Sequence, residues 1–569
     1  MSRPSPRTDR SDAARASVLP RTSRRRVLTG MGLGSLALAA GPMLTACGSG
    51  SEQKVSKATD AELPTFKALD NDAVKPDMPE SEDGVPAAFF NYPEPFASVD
   101  EAPLDGDTFT ALGFLYGAAP NPRGKNSAWQ AVEEGLGGKI DITAVGDADY
   151  ATKVNTTLSG SKLPDLMVND GAAFPDVEPF LEESCVDLTE YLGGDKIADY
   201  PNLQAIPQIF WEDCVSNGKL YYLPIPRNIT GGVGVVNTGL LKERVGVEST
   251  AEFRDIDDFE AAMKELTDKG SDRWALGSSK FGLSMFRGMF NVPNGWRLDG
   301  DTLTKDTETD EYVEMLKFVR KLVDAGYFIP GSDGWEKSQM QDAFLAGKSA
   351  MIYDGLPAIL KSSGYASTLP QSNKDWSAAA MLPFGDGKAY ADNINVARTM
   401  ITKGDDSEDR IKALLRTVNY LAAPFGSTEY LLINYGAEGE DYTLDGKGNP
   451  QATDQGANNT SVPWKYFAAP TQPVYDPGNK DAVKQMHEAF STMIPDAIED
   501  PTNGIYSPTS SSKAAEIAQP ITDATQNYLA GRGDLDQFTD AVKKWKSNGG
   551  DDIRGELLEG LGKKSSADS

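Results

Sequence analysis

The chain is poor in cysteine and nearly without histidine: 569 residues carry three Cys and one His. A single imidazole, His487, excludes any zinc site built on several histidines. A Ser-His-Asp or Cys-His arrangement would have to use that residue alone, and in "KQMHEAF" it reads as a packed or solvated helix position. Positive charge is scarce too, with 55 Lys and Arg against 84 Asp and Glu. Eight arginines and only two aspartates fall in the first 46 residues, so the rest carries a formal −35. Nucleic-acid phosphates need clustered cations, and such a balance argues against them while leaving room for a local basic pocket; its ordinary consequence is solubility. Beyond residue 44 no long apolar run offers a second membrane segment.

What is present begins with "SRRRVLTGMGLGSLALAAGPMLTACGSG" at residues 23–50. Arg24, Arg25 and Arg26 form a twin-arginine start. The apolar stretch to Leu44 is too short and glycine-rich for a permanent span. Leu44-Thr45-Ala46-Cys47-Gly48 resembles the lipobox of bacterial lipoproteins, which makes Cys47 a lipidation site. Several acyl chains, at ~0.8 kcal/mol per buried methylene, would hold the protein at the extracytoplasmic face of a cell membrane. Residues 1–46 are then a signal peptide, and 47–104, small, polar and proline-punctuated, a flexible tether. Cys185 and Cys214 remain. In an exported protein an even remainder favours a disulfide, worth about 3–4 kcal/mol; two buried free thiols are the alternative.

Nucleotide and calcium motifs fail. In "GAAPNPRGKN" the glycine spacing is too long, and Asn126 stands where a magnesium-holding hydroxyl is needed. In "TLDGKGNPQA" Ala452 occupies the place of a bidentate Glu, so this reads as a β-hairpin with an Asp-Gly turn. Paired carboxylates stay available for glycoside chemistry, since acids are everywhere.

From "TFTALGFL" the chain alternates strand and helix: "NSAWQAVEEGLG" (helix), "KIDITAV" (strand), "DADYATKVNTTLSG" (helix), "LPDLMVND" (strand). That pattern predicts an α/β fold with a parallel sheet and ligand loops at the strand carboxyl ends, where Tyr116, Asn121 and Asp170 lie. In "NGKLYYLPIPRNITGGVGVVN" prolines keep the backbone extended and paired glycines permit wide rotation, as a crossing between two lobes requires. Further on, Tyr312, Leu316, Val319 and Val323 share one helical face. "SAAAMLPFGDGKAYADNINVARTMITKG" reads as strands around a glycine turn.

Taken in order, "DYATKVNTTLSGSKLPDLMV", "VDLTEYL", "NGKLYYLPIPRN", "EYVEMLKFVRKLVDAGYFIP", "FLAGKSAMIYDG" and "EYLLINYGAEGEDY" resemble bacterial extracellular solute-binding protein family 1, the carbohydrate receptors of ABC importers. The last piece and "LDGKGNP" resemble its long lipoprotein subgroup. The resemblance implies a two-lobed periplasmic-binding-protein-like fold of type II that closes on its ligand about a hinge. It implies lobe one at 105–228 and 378–425, lobe two at 229–377 and 426–550, and a tail at 551–569. It implies a monomer without cofactor or metal that performs no chemistry, with a sugar as ligand and permease subunits as partners. Sugar hydroxyls need planar polar side chains, and sugar C–H faces need aromatic rings. On that basis the interlobe candidates are Tyr116, Asn121, Asp170, Arg227, Asn228, Trp296, Tyr353, Asp354 and Asn393, with Asn126 and Trp129 weaker. For Trp296 the alternative is a structural loop aromatic, for Tyr353 a core residue, and for Asp170 a helix cap. The rivals are an anchored carbohydrate-active enzyme with two carboxylates, or the same fold serving a non-sugar solute or a sensor kinase.

Overall fold

The computed structural model describes residues 61–562 apart from 70–73, 82, 117–118, 172, 175–176, 361–363, 392–394 and 405–406. Cys47 and Asn393 lie outside the described residues, as do the twin arginines.

Two sheets organise the chain. The first contains β1 (Thr108–Leu115), β2 (Lys139–Gly146), β3 (Leu166–Asn169), β4 (Tyr222–Pro226) and β9 (Asn395–Ile401) in the order β2-β1-β3-β9-β4. The second contains β5 (Gly232–Asn237), β6 (Trp274–Leu276), β7 (Ser349–Gly355) and β8 (Ala378–Ala380) in the order β8-β5-β7-β6. β1, β2 and β3 are parallel, linked by α1 (Ser127–Leu136) and α2 (Asp147–Leu158), as the alternating sequence predicts. Asn126 starts α1 by accepting from the Trp129 N–H at 2.9 Å. In α2, Tyr150 and Val154 sit one turn apart and are fully buried against the sheet.

Strand pairing fixes where the chain changes lobe. β4 belongs to the first sheet and β5 to the second, so residues 227–231 cross between them. β8 pairs antiparallel with β5, Ala378 opposite Asn237, whereas β9 pairs with β3 and β4. The two strands read from residues 377–404 as one meander are therefore not partners. The stretch between them is a second crossing, and residues 378–380 belong to the second lobe. A third crossing joins the turn at Pro463–Tyr466, packed on β1, to α3 (Lys480–Met493), packed on β8.

Two other expected boundaries also move. Residues 61–104 are not a free tether where the structure describes them. Ala88–Phe89 pairs parallel with Val474–Tyr475, Pro64 bridges Gly194, and Val85, Ala88, Phe89, Tyr92 and Leu104 are buried. His487, on α3, fixes this segment through an Nε2 contact of 2.9 Å to the Pro79 carbonyl. At the other end, helix α4 (Asp551–Gly560) buries Ile553, Leu557 and Leu558, so residues 551–560 are part of the fold. Past 425 the chain does not pass directly to lobe two: Ser127 and Asn459 both donate to Asp441 Oδ1, at 2.7 and 2.8 Å, which ties 437–459 to α1.

Cys185 and Cys214 are not bridged; both are free and buried. Each is held in its own surroundings, Cys185 by a β-bridge to Thr402 and Cys214 by donating from Sγ to the Phe210 carbonyl at 3.4 Å. Burial pushes the Cys185 thiol up to about 12 and the Cys214 thiol well above the ordinary range.

Candidate functional site

The register of the first sheet gathers one edge. β1, β2, β3 and β4 all run the same way, so the residues following them, Tyr116, Asp147, Asp170 and Arg227, stand along a single rim. In the second sheet Gly232, at the start of β5, faces Gly355, at the end of β7, and Met381 follows β8 by donating to the Gly234 carbonyl at 2.7 Å. Because residues 227–231 run directly from one rim to the other, the two edges face each other across the hinge. This is the strand-end crevice in which α/β proteins hold ligands.

On the first rim one aromatic ring stands open, backed by buried ones. Tyr116 is 59 % exposed and is, with Phe66 and Leu444, one of three large apolar side chains exposed among the described residues. Its ring meets Tyr466 at 5.7 Å and Phe114 at 5.0 Å, both edge-on. Tyr466 was not singled out from the sequence. It lies in "VPWKYFAAP", a turn begun by Pro463 and locked by two fully buried neighbours. Trp464 meets Trp129 at 5.9 Å, and Phe467 seats over Gly113, where an added Cβ would lie 3.0 Å from its ring. Each such burial stabilises the turn by about 1.5–3 kcal/mol, and the turn then presents Tyr466 to the rim.

Arg227 completes this group. Its guanidinium carbon lies 5.9 Å from the Tyr466 ring centre, and its Nη1 is enclosed with no hydrogen-bond partner. Desolvation holds its pKa below the usual arginine value, opposed by the charges of Tyr466 and Tyr116. Both tyrosine hydroxyls are pushed up, first by burial, with Arg227 pulling them back. Asn228, next along, lines a cavity of about 200 Å³ with Leu356, Leu360, Gln472, Tyr475 and Phe490. Asp170 accepts from the Ala173 N–H at 2.8 Å, as a capping carboxylate does.

On the second rim Tyr353 lines a smaller cavity of about 50 Å³ together with Thr230, Met285, Met289, Met381 and Tyr390. A Cβ at Gly232 would lie 2.6 Å from the Tyr353 hydroxyl, so glycine is what admits that ring beside the crossing.

Three expected ligand residues are engaged by the protein's own side chains. Asp354 is 3 % exposed, and its carboxylate is taken by Lys337 Nζ at 2.5 Å, Gln341 Nε2 at 2.9 Å, the Gly355 N–H at 2.8 Å and the Tyr365 hydroxyl. These bonds outweigh desolvation, so its pKa lies below the ordinary carboxylate value. Trp296 is 6 % exposed in a hairpin, against Trp545 at 5.9 Å, Lys305 at 5.4 Å and Arg554 at 5.8 Å. Asn121 donates to Asn459 Oδ1 at 2.8 Å, inside the polar network that joins α1 to Asp441. The weaker pair, Asn126 and Trp129, likewise cap and pack α1.

Comparison with known proteins agrees with this architecture. The bacterial extracellular solute-binding protein family matches residues 128–436. The chain is 23 % identical to Lipoprotein LipO of Bacillus subtilis over 77 % of its length and 89 % of that protein. It is likewise 23 % identical to the polygalacturonan/rhamnogalacturonan-binding protein YtcQ of the same organism, over 79 % and 90 %. Among solved structures, an extracellular solute-binding protein from Bifidobacterium longum subsp. infantis superposes with a TM-score of 0.60 at 14 % identity, covering 80 % of this chain and 98 % of that one. The N-glycan transport protein NgtS of Streptococcus pneumoniae gives 0.57 at 19 % identity, over 80 % and 98 %. With a two-lobed type II fold, a strand-end crevice at its hinge and a match over more than half its length, the chain belongs to the bacterial extracellular solute-binding proteins.

Proposed function

We propose that the protein is the substrate-binding component of an ABC importer and that its ligand is a sugar or oligosaccharide held between the lobes. The carrying observation is the exposed Tyr116 ring at the hinge, backed by the buried Tyr466 and the enclosed guanidinium of Arg227. Aromatic faces beside a hydrogen-bonding cation suit a pyranose, whose C–H face stacks while its hydroxyls demand donors and acceptors. Asn228 and Asp170 follow strands of the same sheet, and Tyr353 lies on the rim of the second lobe. The name of YtcQ, a polygalacturonan/rhamnogalacturonan-binding protein, supports a carbohydrate ligand. Closure of the lobes is driven by the ligand's preference for the closed form, and the closed pair presents a joint surface to the permease.

The same reading places the protein, as a monomer, on the outer face of the cell membrane. Acylation of Cys47 anchors it after twin-arginine export, and the captured sugar stays beside its permease at high effective concentration. The name of LipO supports the anchor. Cys47→Ser should release the protein from the membrane fraction; continued retention would refute the anchor. The ligand class is tested by thermal shift of the soluble chain against neutral and acidic mono- and oligosaccharides, with peptides and polyols alongside. Stabilisation by a carbohydrate set alone supports the reading, and stabilisation by peptides alone overturns it.

A further inference from the structure

Arginines elsewhere in this fold show what a partly enclosed guanidinium normally has for company. Arg123, Arg398 and Arg410 each hold a carboxylate oxygen, at 2.8, 2.9 and 2.7 Å, with side chains 31, 25 and 23 % exposed. Arg227 is also half-buried, yet among the described residues no carboxylate pairs with it. Its Nη1 is fully enclosed and donates to nothing, and its neighbours are two tyrosines. No ion pair joins it to the described acids at the strand ends, of which Asp147 and Asp170 act on the Tyr116 hydroxyl. Asp354 is engaged with Lys337 and Gln341, and Asp170 Oδ1 accepts from the backbone. A cation drawn out of water without a counter-charge is costly to the folded protein. In a chain with 84 acidic residues a partner was cheaply available, so the empty place is a property of this position.

We infer that Arg227 is a specificity-determining residue that receives an acidic group of the sugar ligand, the carboxylate of a uronic acid or a sulfate ester. This rests on the carbohydrate reading above. A neutral hydroxyl takes one hydrogen bond from a guanidinium and leaves the charge unanswered. An oxyanion offers two oxygens to the planar fork and compensates the charge, giving the shorter and stronger charge-assisted bonds. The exposed Tyr116 ring, packed edge-on against the buried Tyr466 beside Arg227, supplies ring surface for the sugar body, so the acid and the pyranose face are read by neighbouring side chains. The protein's overall negative charge repels anions at long range, so attraction must come from this enclosed local site rather than from steering.

The test is calorimetry on the soluble chain with matched ligand pairs: galacturonate oligomers against their methyl esters, and sulfated against desulfated oligosaccharides. Wild type, Arg227→Gln and Arg227→Lys are compared, each first checked for an intact melting transition. The acidic member of one pair is expected to bind about 10- to 100-fold more tightly than its neutral twin, from the worth of a charge-assisted bond. Arg227→Gln should erase that preference while leaving weak binding of the neutral twin, and Arg227→Lys should restore part of it. The pair that shows the preference tells carboxylate from sulfate. Neutral sugars binding tightly with no acidic preference would overturn the inference and leave the carbohydrate reading standing. An acidic preference that survives Arg227→Gln would overturn the role of Arg227. A panel in which no acidic sugar binds counts against the inference whatever the neutral sugars do. If only non-sugar carboxylates bind, in an Arg227-dependent way, the carbohydrate reading fails and the anion site remains.

Discussion

Arg227 and Asp354 stand at comparable places, each beside a strand end on the edge where the chain passes between the two sheets, and their surroundings differ completely. Asp354 is closed in by Lys337, Gln341, Tyr365 and the Gly355 N–H. Arg227 has tyrosine rings and an unanswered Nη1. A charged residue at a strand end is thus no evidence of a ligand by itself. What separates the two is whether the protein has already supplied the partner. The first lobe keeps its rim open; the second spends its charge on its own cohesion.

Mutations can break that contrast. The largest effect is expected at Asp354: Asp354→Ala leaves Lys337 and the Tyr365 hydroxyl without their acceptor and should cost about 3–5 kcal/mol of stability, read by chemical denaturation. Its folded pKa is lowered, so its contribution is fully present above the ordinary carboxylate value of about 3.9 and is lost as pH falls through the folded value. The gap between wild type and variant should therefore narrow in strong acid. Trp296→Ala should cost about 3–5 kcal/mol as a large-to-small change at a buried ring, with ligand affinity unchanged in the protein that remains folded. Arg227→Met should act in the opposite sense, raising unliganded stability by about 1 kcal/mol because an unsatisfied enclosed donor is removed. Tyr116→Ala, at an exposed ring, should move stability by less than about 0.5 kcal/mol while weakening the sugar. The smallest effect belongs to the cysteines. Reductant should leave the melting temperature unchanged, and thiol reagents should reach Cys185 and Cys214 only after denaturation.

Sequence reasoning reached the fold through features that are local. The strand–helix alternation, the cap at Asn126 and the proline-rich crossing are each written within a few residues. It singled out Arg227 and Asn228 because a crossing is itself a local signal, and strand pairing puts both at the passage between the sheets. It failed where a side chain's fate is decided by a distant segment. Strand alternation makes Asp354 look outward and Tyr353 inward, but Lys337 and Gln341 lie one helical turn apart on the preceding helix and close over the carboxylate. Tyr466 belongs to a turn without periodicity, far along the chain from Tyr116; only the crowding of Trp464, Tyr466 and Phe467 in a short loop hinted at a packed structure. Polar composition made residues 47–104 read as a tether, yet a few apolar positions, Phe89 and Tyr92 among them, suffice to dock the described part of that segment on Phe425.

The central claim is that ligand enters between the two strand rims and brings them together. Hydrogen exchange of the soluble chain, with and without a stabilising sugar, tests it most directly. The account predicts slowed exchange in both rims at once, at residues 227–234 and 463–467 and around Tyr353, with little change in the Trp296 hairpin. Protection confined to one lobe, or falling outside these segments while the sugar is bound, would contradict it.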